Sequence, residues 1–394
     1  MAMKTLFADL RHLFVSFLSL SLVATLGSCQ SKTNSNQTES YQYSLEKGDD
    51  LVFSLDSEVS QQTNLIQFID EADKLVFYNK PLHNICIYDA ESGNIVQKIN
   101  LLKEGPNAIN EVTATYRKNV DSTYIFSHWK NLINMVNDQG QIVESIQLPD
   151  FKSVEINGVK APAVYPTSYA PFRSIGENTF VLCGMYGKMD EGKNYANYSP
   201  MIMYDYKTGS IELPCSYPSV YGDYRGGGWG VFTYQVPSYT FDSRSNLIVS
   251  FFADDSISVC NMKDKRISRY YAGSSKQTTI KPLPENASKI DHTNHYIAQT
   301  QNACIYYDKY RDLYYRIISH PLTDFNINDP QSQSKETISV VILDSDFNKV
   351  GEEFVIDKTP FFASCFVSKR GFHIKKISDN DDYMIFMTLK AEKK

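Results

Sequence analysis

Three histidines recur in one kind of position along this chain. His83 in NKPLHN, His128 in FSHWKN and His320 in ISHPL each follow an apolar run and introduce a polar turn. Imidazole is the commonest protein ligand for zinc and similar ions, so three on one rim could hold a metal. They fall in different segments of the chain, however, and the expectation is no metal and no cofactor. A second pair, His292 and His295 in IDHTNH, has the spacing of one helical face but not the His-Glu-x-x-His pattern, and reads as a surface loop. RGGGWG at 225–230 has the glycines of a phosphate loop without its Gly-Lys-Ser/Thr ending. Those glycines suit a tight turn. Around them, Tyr224 and Trp229 could stack on a sugar or peptide side chain and Arg225 could meet an acidic group, although packing onto a neighbouring blade is the favoured reading of Trp229. DSDFNK at 344–349 imitates a calcium loop, but Lys349 stands where glycine belongs and Val355 where the bidentate glutamate belongs. No Gly-x-Ser-x-Gly elbow is present. No catalytic constellation is legible, so whether the protein is an enzyme stays open at this stage.

One cysteine has a chemistry of its own. Lys4 and Arg11 precede the apolar stretch HLFVSFLSLSLVATL from His12 to Leu26, which has the layout of an export signal. The stretch is shorter than the roughly 20 residues needed to span a bilayer. It ends in Leu26-Gly27-Ser28-Cys29, which resembles the bacterial lipobox, where small residues admit the peptidase and the cysteine thiol is acylated. The expectation is a signal peptide over 1–28, a lipid on Cys29, and a polar tether over 29–40. An acidic cluster directly after Cys29 is absent, which favours the periplasmic side of the outer membrane, with the cell surface as the alternative.

The remaining chain could form one large all-β domain or two average ones. A formal net charge of -6 with no long basic block argues against nucleic acid as a partner. The 27 tyrosines and 22 phenylalanines against 2 tryptophans favour pleated, half-buried surfaces. Six further cysteines, Cys86, Cys183, Cys215, Cys260, Cys304 and Cys365, are scattered and lie mostly inside apolar runs, as buried hydrophobes do.

The elements that must position these residues repeat. An apolar strand ends in Asp or Asn, a polar turn follows and a second strand begins. The unit appears as ICIYDAESGNIVQKI, LINMVNDQGQIVESI, MIMYDYKTGSIELP, ISVCNMKDKRISRY and SVVILDSDFNKVGEEF. A further hairpin precedes each copy, for example LIQFIDEADKLVFYN and YYDKYRDLYYRIIS. Four antiparallel strands recurring every ~40 to 50 residues are propeller blades. Five full blades are expected from about Asn64 to Asp357. A sixth would join two C-terminal strands, ASCFVSKRGFHIKK and YMIFMTLK, to two N-terminal strands, YQYSLEK and DLVFSLD. A pair of β-sandwiches is the competing architecture. The expectation is therefore an all-β, six-bladed β-propeller over 41–394, closed by both ends of the chain.

This organisation resembles the six-bladed, TolB-like propellers, and more narrowly the uncharacterised Bacteroides-type lipoproteins grouped as a domain of unknown function. LLKEGPNAINEV at 101–112 and DKYRDLYYRI at 308–317 carry the likeness. It implies a fold and an envelope address, without an activity. The strand order would place His83, Lys103, Glu104, His128, Trp129, Tyr224, Arg225, Trp229, Asp254 and His320 on one rim, the face where propellers usually open their ligand mouth. The expected function is a lipid-anchored binding module for a peptide, glycan or envelope protein. The alternatives are a propeller hydrolase or lyase and a pocketless spacer. Converging carboxylates or histidines in one channel-mouth pocket would mark the enzyme; an aromatic, chemically mixed surface would mark the binding module.

Overall fold

The computed structural model describes residues 41–61, 63, 65–119, 121–186, 194–222, 229, 234–283, 287–322, 337–355, 360–376, 378 and 380–394. These form six antiparallel sheets of four or five strands, plus one short hairpin. Blade 1 runs from its first strand, Ile66–Ile69, out to Ile95–Asn100. Blade 2 runs from Ala114–Asn119 to Ile142–Gln147, blade 4 from Ser238–Phe241 to Ile267–Tyr271, and blade 5 from Gln301–Asp308 to Lys349–Val355. Blade 3 is irregular. Two short strands, Ala163–Val164 and Arg173–Ile175, share the inner edge of Thr179–Met185.

Blade 6 closes the ring, with a different partition from the expected two plus two. The C-terminus supplies three strands, Pro360–Ser368, Gly371–Lys376 and Tyr383–Lys393. ASCFVSKRGFHIKK, expected as one strand, is a hairpin turning at Lys369 and Arg370. Tyr43–Lys47 and Leu51–Ser54 then pair end to end along the single outer edge of Tyr383–Lys393. The eleven-residue length of that last strand is what accommodates both.

Packing follows from the ring. A blade is covered on both faces, so its middle strands are buried along nearly their whole length, as in Lys74–Asn79 and Asn84–Asp89. Outer strands alternate with exposed positions, as in Ile142–Gln147 and Ile267–Tyr271. Part of the core is divided into leaves between neighbouring blades, while one larger cluster runs through blades 3 to 6 and includes Val181, Val249, Ile317 and Ile374. Val76, Ile87, Ile125 and Val136 join blades 1 and 2, Phe126, Phe172 and Phe180 join blades 2 and 3, and Phe53, Phe77, Phe366 and Phe386 join blades 6 and 1. None of the six cysteines of the described residues is in a disulfide, and five of them are buried.

The Asx punctuation is a physical staple. The side chains of Asp89, Asn137, Asp205, Asn261 and Asp344 each accept a backbone N–H two or three residues on, which bends the chain into its turn. A left-handed residue follows each, among them Gly93, Gly140 and Gly209 with φ of 70°, 74° and 74°. Gly140 is also pressed against the preceding blade, where a Cβ would lie 2.1 Å from the Asn100 carbonyl oxygen, whereas Gly209 faces open space. Gly209→Ala should therefore cost about 1 kcal/mol, the left-handed penalty alone. Gly140→Ala should cost at least about twice that, because strain and clash add. Urea unfolding of the two variants measures the difference; equal midpoints would contradict this packing of turn on blade.

Candidate functional site

The first strands of neighbouring blades stand side by side around an axis, and they enclose a cavity of about 340 Å³. All six blades contribute to its wall. The wall is aromatic and polar, with Tyr116, Tyr169, Tyr239 and Tyr306 beside Gln67, Thr115 and Thr240. Its charged members are Asp70, Arg173 and Lys309. Lys309, in the first turn of blade 5, reaches the first turn of blade 1 and bonds Asp70 at 2.6 Å and Glu71 at 3.1 Å. This bar crosses one end of the axis past blade 6. Asp70 also raises the neighbouring Tyr310 hydroxyl, which burial and the carboxylate together push up to about 12. Gln67 exchanges two hydrogen bonds with the Arg117 backbone, at 2.7 and 2.9 Å, and so pins the first strands of blades 1 and 2 together.

The expected rim does not form one site. His83 is buried, with Nδ1 2.7 Å from the Tyr78 hydroxyl and Nε2 2.5 Å from the Ile109 carbonyl. His320 is buried against the Ser339 hydroxyl at 2.6 Å. Desolvation lowers the pKa of both, so they are neutral structural groups. His128 is half-buried, with Nδ1 3.0 Å from the Val164 carbonyl. Each imidazole is used inside its own blade or at one junction, so the three never converge. Among the described residues no group of three or more His, Cys, Asp or Glu side chains could hold a metal ion.

Asp254 and Trp229 are corrected as well. Asp254 is 2% exposed, and both its carboxylate oxygens accept from Arg269 at 2.6 and 2.7 Å. Trp229 is buried between Tyr221 and Tyr234, with its indole N–H donated to the Tyr221 carbonyl at 3.4 Å. Both belong to the packing because the face of blade 4 is roofed rather than open. Tyr224, Arg225 and Cys29 lie outside the described residues. Lys103, Glu104 and Trp129 are exposed, Trp129 at 87%. The backbone N–H of Trp129 donates to the Glu111 carboxylate at 3.1 Å. His295 is on a helix, Lys289–Ile297, rather than in a loop; Ser288 and Asp291 form its capping box.

Residues 40–354 match the family described as Domain of unknown function (DUF4221). The chain belongs to this family. A DUF4221 member from Bacteroides vulgatus ATCC 8482 has a similar structure, with 23% identity and a TM-score of 0.79 over 90% of this chain and 100% of that one. A protein of Bacteroides fragilis NCTC 9343 classed as exported is more distant, at 10% identity and a TM-score of 0.56 over 92% and 98% of the two chains. No curated protein matches the DUF4221 chain. The shared fold is the six-bladed propeller that the repeats implied.

The most unusual buried group is one that spacing did not reveal. Arg316, in the second strand of blade 5, is fully buried and extends into blade 4. Its guanidinium donates to the carbonyls of Asp254 at 2.6 Å, Asp255 at 2.7 Å and Ala272 at 3.2 Å, and to the Ser250 hydroxyl at 3.0 Å. Burial pulls its pKa down to about 10, so it stays charged at neutral pH. The rest of DKYRDLYYRI is shared among blades, with Tyr314 at the same junction, Lys309 reaching blade 1 and Arg311 donating to the Lys369 carbonyl of blade 6 at 3.3 Å. Buried Asp308 staples its own turn and accepts from Tyr315 at 2.9 Å, while Tyr314 donates to Asp242 of blade 4 at 2.9 Å. In this DUF4221 chain the motif is a seam between blades. Arg316→Met strips several buried carbonyls of their donor and should cost about 3–5 kcal/mol. Lys309→Met breaks a half-exposed pair and should cost less than about 1 kcal/mol. Chemical denaturation of both variants compares them; similar losses would mean that the seam at Arg316 contributes little.

Proposed function

We propose that this chain is an exported, lipid-anchored module of the bacterial envelope that binds a small ligand in its axial cavity without transforming it. The observation that carries the reading is the cavity wall. It collects side chains from all six blades, it is aromatic and chemically mixed, and two of its three charges neutralise each other across one end. Neither a histidine nor a pair of carboxylates lines it. The volume of about 340 Å³ lies in the range of small-molecule sites. A wall built from six separate sheets is also rigid, so a ligand meets a preformed surface. The reading replaces the rim with the axis as the contact surface. Lys103, Glu104 and Trp129 remain solvent-exposed candidates for a partner at the junction of blades 1 and 2, where Leu82 and Leu102 are also exposed.

The address rests on Lys4, Arg11, the apolar run and the Leu26–Cys29 lipobox, and it agrees with a fold relative classed as exported. The outer membrane, with the propeller on the periplasmic side, is the proposed location, and the membrane is reached through the lipid on Cys29. In a bacterial host, Cys29→Ala should abolish incorporation of labelled palmitate and release the protein from the membrane fraction. Unchanged labelling would remove the anchor from the reading.

Ligand binding is tested by calorimetry of the full-length chain against sugars, sugar acids, amino acids and short peptides. At least one class should bind, and Thr115→Trp, which fills the cavity wall, should abolish that binding with little change in melting temperature. Binding that survives Thr115→Trp would move the site off the axis, and a screen without hits would discard the cavity as the functional centre.

A further inference from the structure

The cavity holds one cation that the protein does not use. Arg173 lies on the inner strand of blade 3, tied by its backbone to Val181. Its guanidinium stands 6.0 Å from the centre of the Tyr239 ring. Among the described residues no carboxylate, carbonyl or hydroxyl accepts a hydrogen bond from it. Arginines elsewhere at blade junctions are engaged. Arg117 holds Asp138, Arg311 holds Asp308, Arg370 holds Asp73 and Arg316 holds a set of carbonyls. Arg173 is therefore an exception among the arginines that this ring draws inward.

Its surroundings suit an anion. Asp70 and Lys309 cancel at 2.6 Å, which leaves the lining with one net positive charge inside a chain whose formal net charge is -6. Tyr116, Tyr239 and Tyr306, from blades 2, 4 and 5, are close enough to feel the charge of Arg173. Burial raises all three phenols, so they remain protonated donors. Tyr239 is committed to the Pro171 carbonyl at 2.5 Å, while Tyr116 makes only a long bond of 3.5 Å to the Ser174 carbonyl and is the more available donor.

We propose that the axial cavity is a receptor for a small organic carboxylate, taken by the planar fork of Arg173 with Tyr116 as a second donor and the Tyr239 ring against the body of the ligand. The geometry of a guanidinium matches a carboxylate with two parallel hydrogen bonds. A single unmatched positive charge balances a monoanion, whereas a phosphate dianion would remain half uncompensated. This inference rests on the reading of the cavity as the ligand site and names the chemistry it selects.

The test uses matched acid and amide pairs on the full-length chain: phenylacetate with phenylacetamide, galacturonate with galacturonamide, and N-acetylalanine with its amide, with inorganic phosphate as a further probe. Calorimetry at low salt should give at least one acid that binds tenfold or more tightly than its neutral partner, and its affinity should fall as salt rises. Arg173→Met should erase that preference, and Arg173→Lys should restore part of it. Neutral partners that bind as tightly as the acids would overturn the carboxylate assignment and leave the cavity reading standing. Phosphate binding more tightly than any acid would also overturn it, as would an acid preference that survives Arg173→Met. Absence of binding by every probe would overturn the inference together with the cavity reading. The comparison of acid with amide on the unaltered protein decides the matter even if Arg173→Met does not fold.

Discussion

Both N-terminal strands lie along one strand from the far end of the chain, and the ring depends on that pairing. Tyr43–Lys47 pairs with Leu389–Lys393, and Leu51–Ser54 pairs with Tyr383–Phe386. Without these contacts blade 6 would expose the outer edge of Tyr383–Lys393, an edge that sheet proteins rarely leave open. Closure is reinforced at the inner end, where Arg370 grips Asp73 of blade 1 through two bonds of 2.7 Å and Phe366 stacks on Phe68 at 4.5 Å. The cavity inherits its shape from this closure. Its wall is a set of first strands that belong to no common sheet and are held around one axis only because the sixth blade meets the first.

Between blades the protein uses two kinds of joint. Apolar packing dominates, as leaves between neighbouring blades and as one cluster that runs through blades 3 to 6. At the junction of blades 4 and 5 a buried cation is added. Arg316 satisfies the backbone carbonyls of a tight turn that no strand can reach, so a charge does the work of a missing sheet hydrogen bond. Its guanidinium is a better choice than an ammonium there, because a rigid fork can serve several acceptors at once. The same turn carries Asp254, whose carboxylate is neutralised from the other side by Arg269. What reads in the sequence as an acidic rim is thus the outer half of a structural joint.

The rim and the axis exchange importance for a topological reason. Loops after second strands have their polar residues recruited into the packing, His83 to Ile109 and His128 to Val164 at junctions with the next blade, and His320 to Ser339 within its own blade. First strands have a neighbour on one side and the axis on the other. Arg173 and Tyr116 therefore line the axis, the first over the Tyr239 ring and the second with only a long bond to the Ser174 carbonyl. Their signal was present in the hairpins YAPFRSIGENTF and TATYRKNVDSTY, where a polar or charged residue interrupts the inner strand. It became readable only once each strand had a position in its blade.

The chain alone determined its repeat, its blade count, the Asx staples that end the third strands, and the use of cysteine as a small hydrophobe. All of these depend on neighbours close in sequence, and local turn chemistry and strand periodicity report them directly. The tertiary structure decided which charges are sealed and which remain available. Arg316 and Arg173 both interrupt apolar strands, and nothing within a few residues distinguishes them. One meets carbonyls from the preceding blade and the other meets an open axis, because desolvation and pairing are set by the blade across the gap, many residues away along the chain.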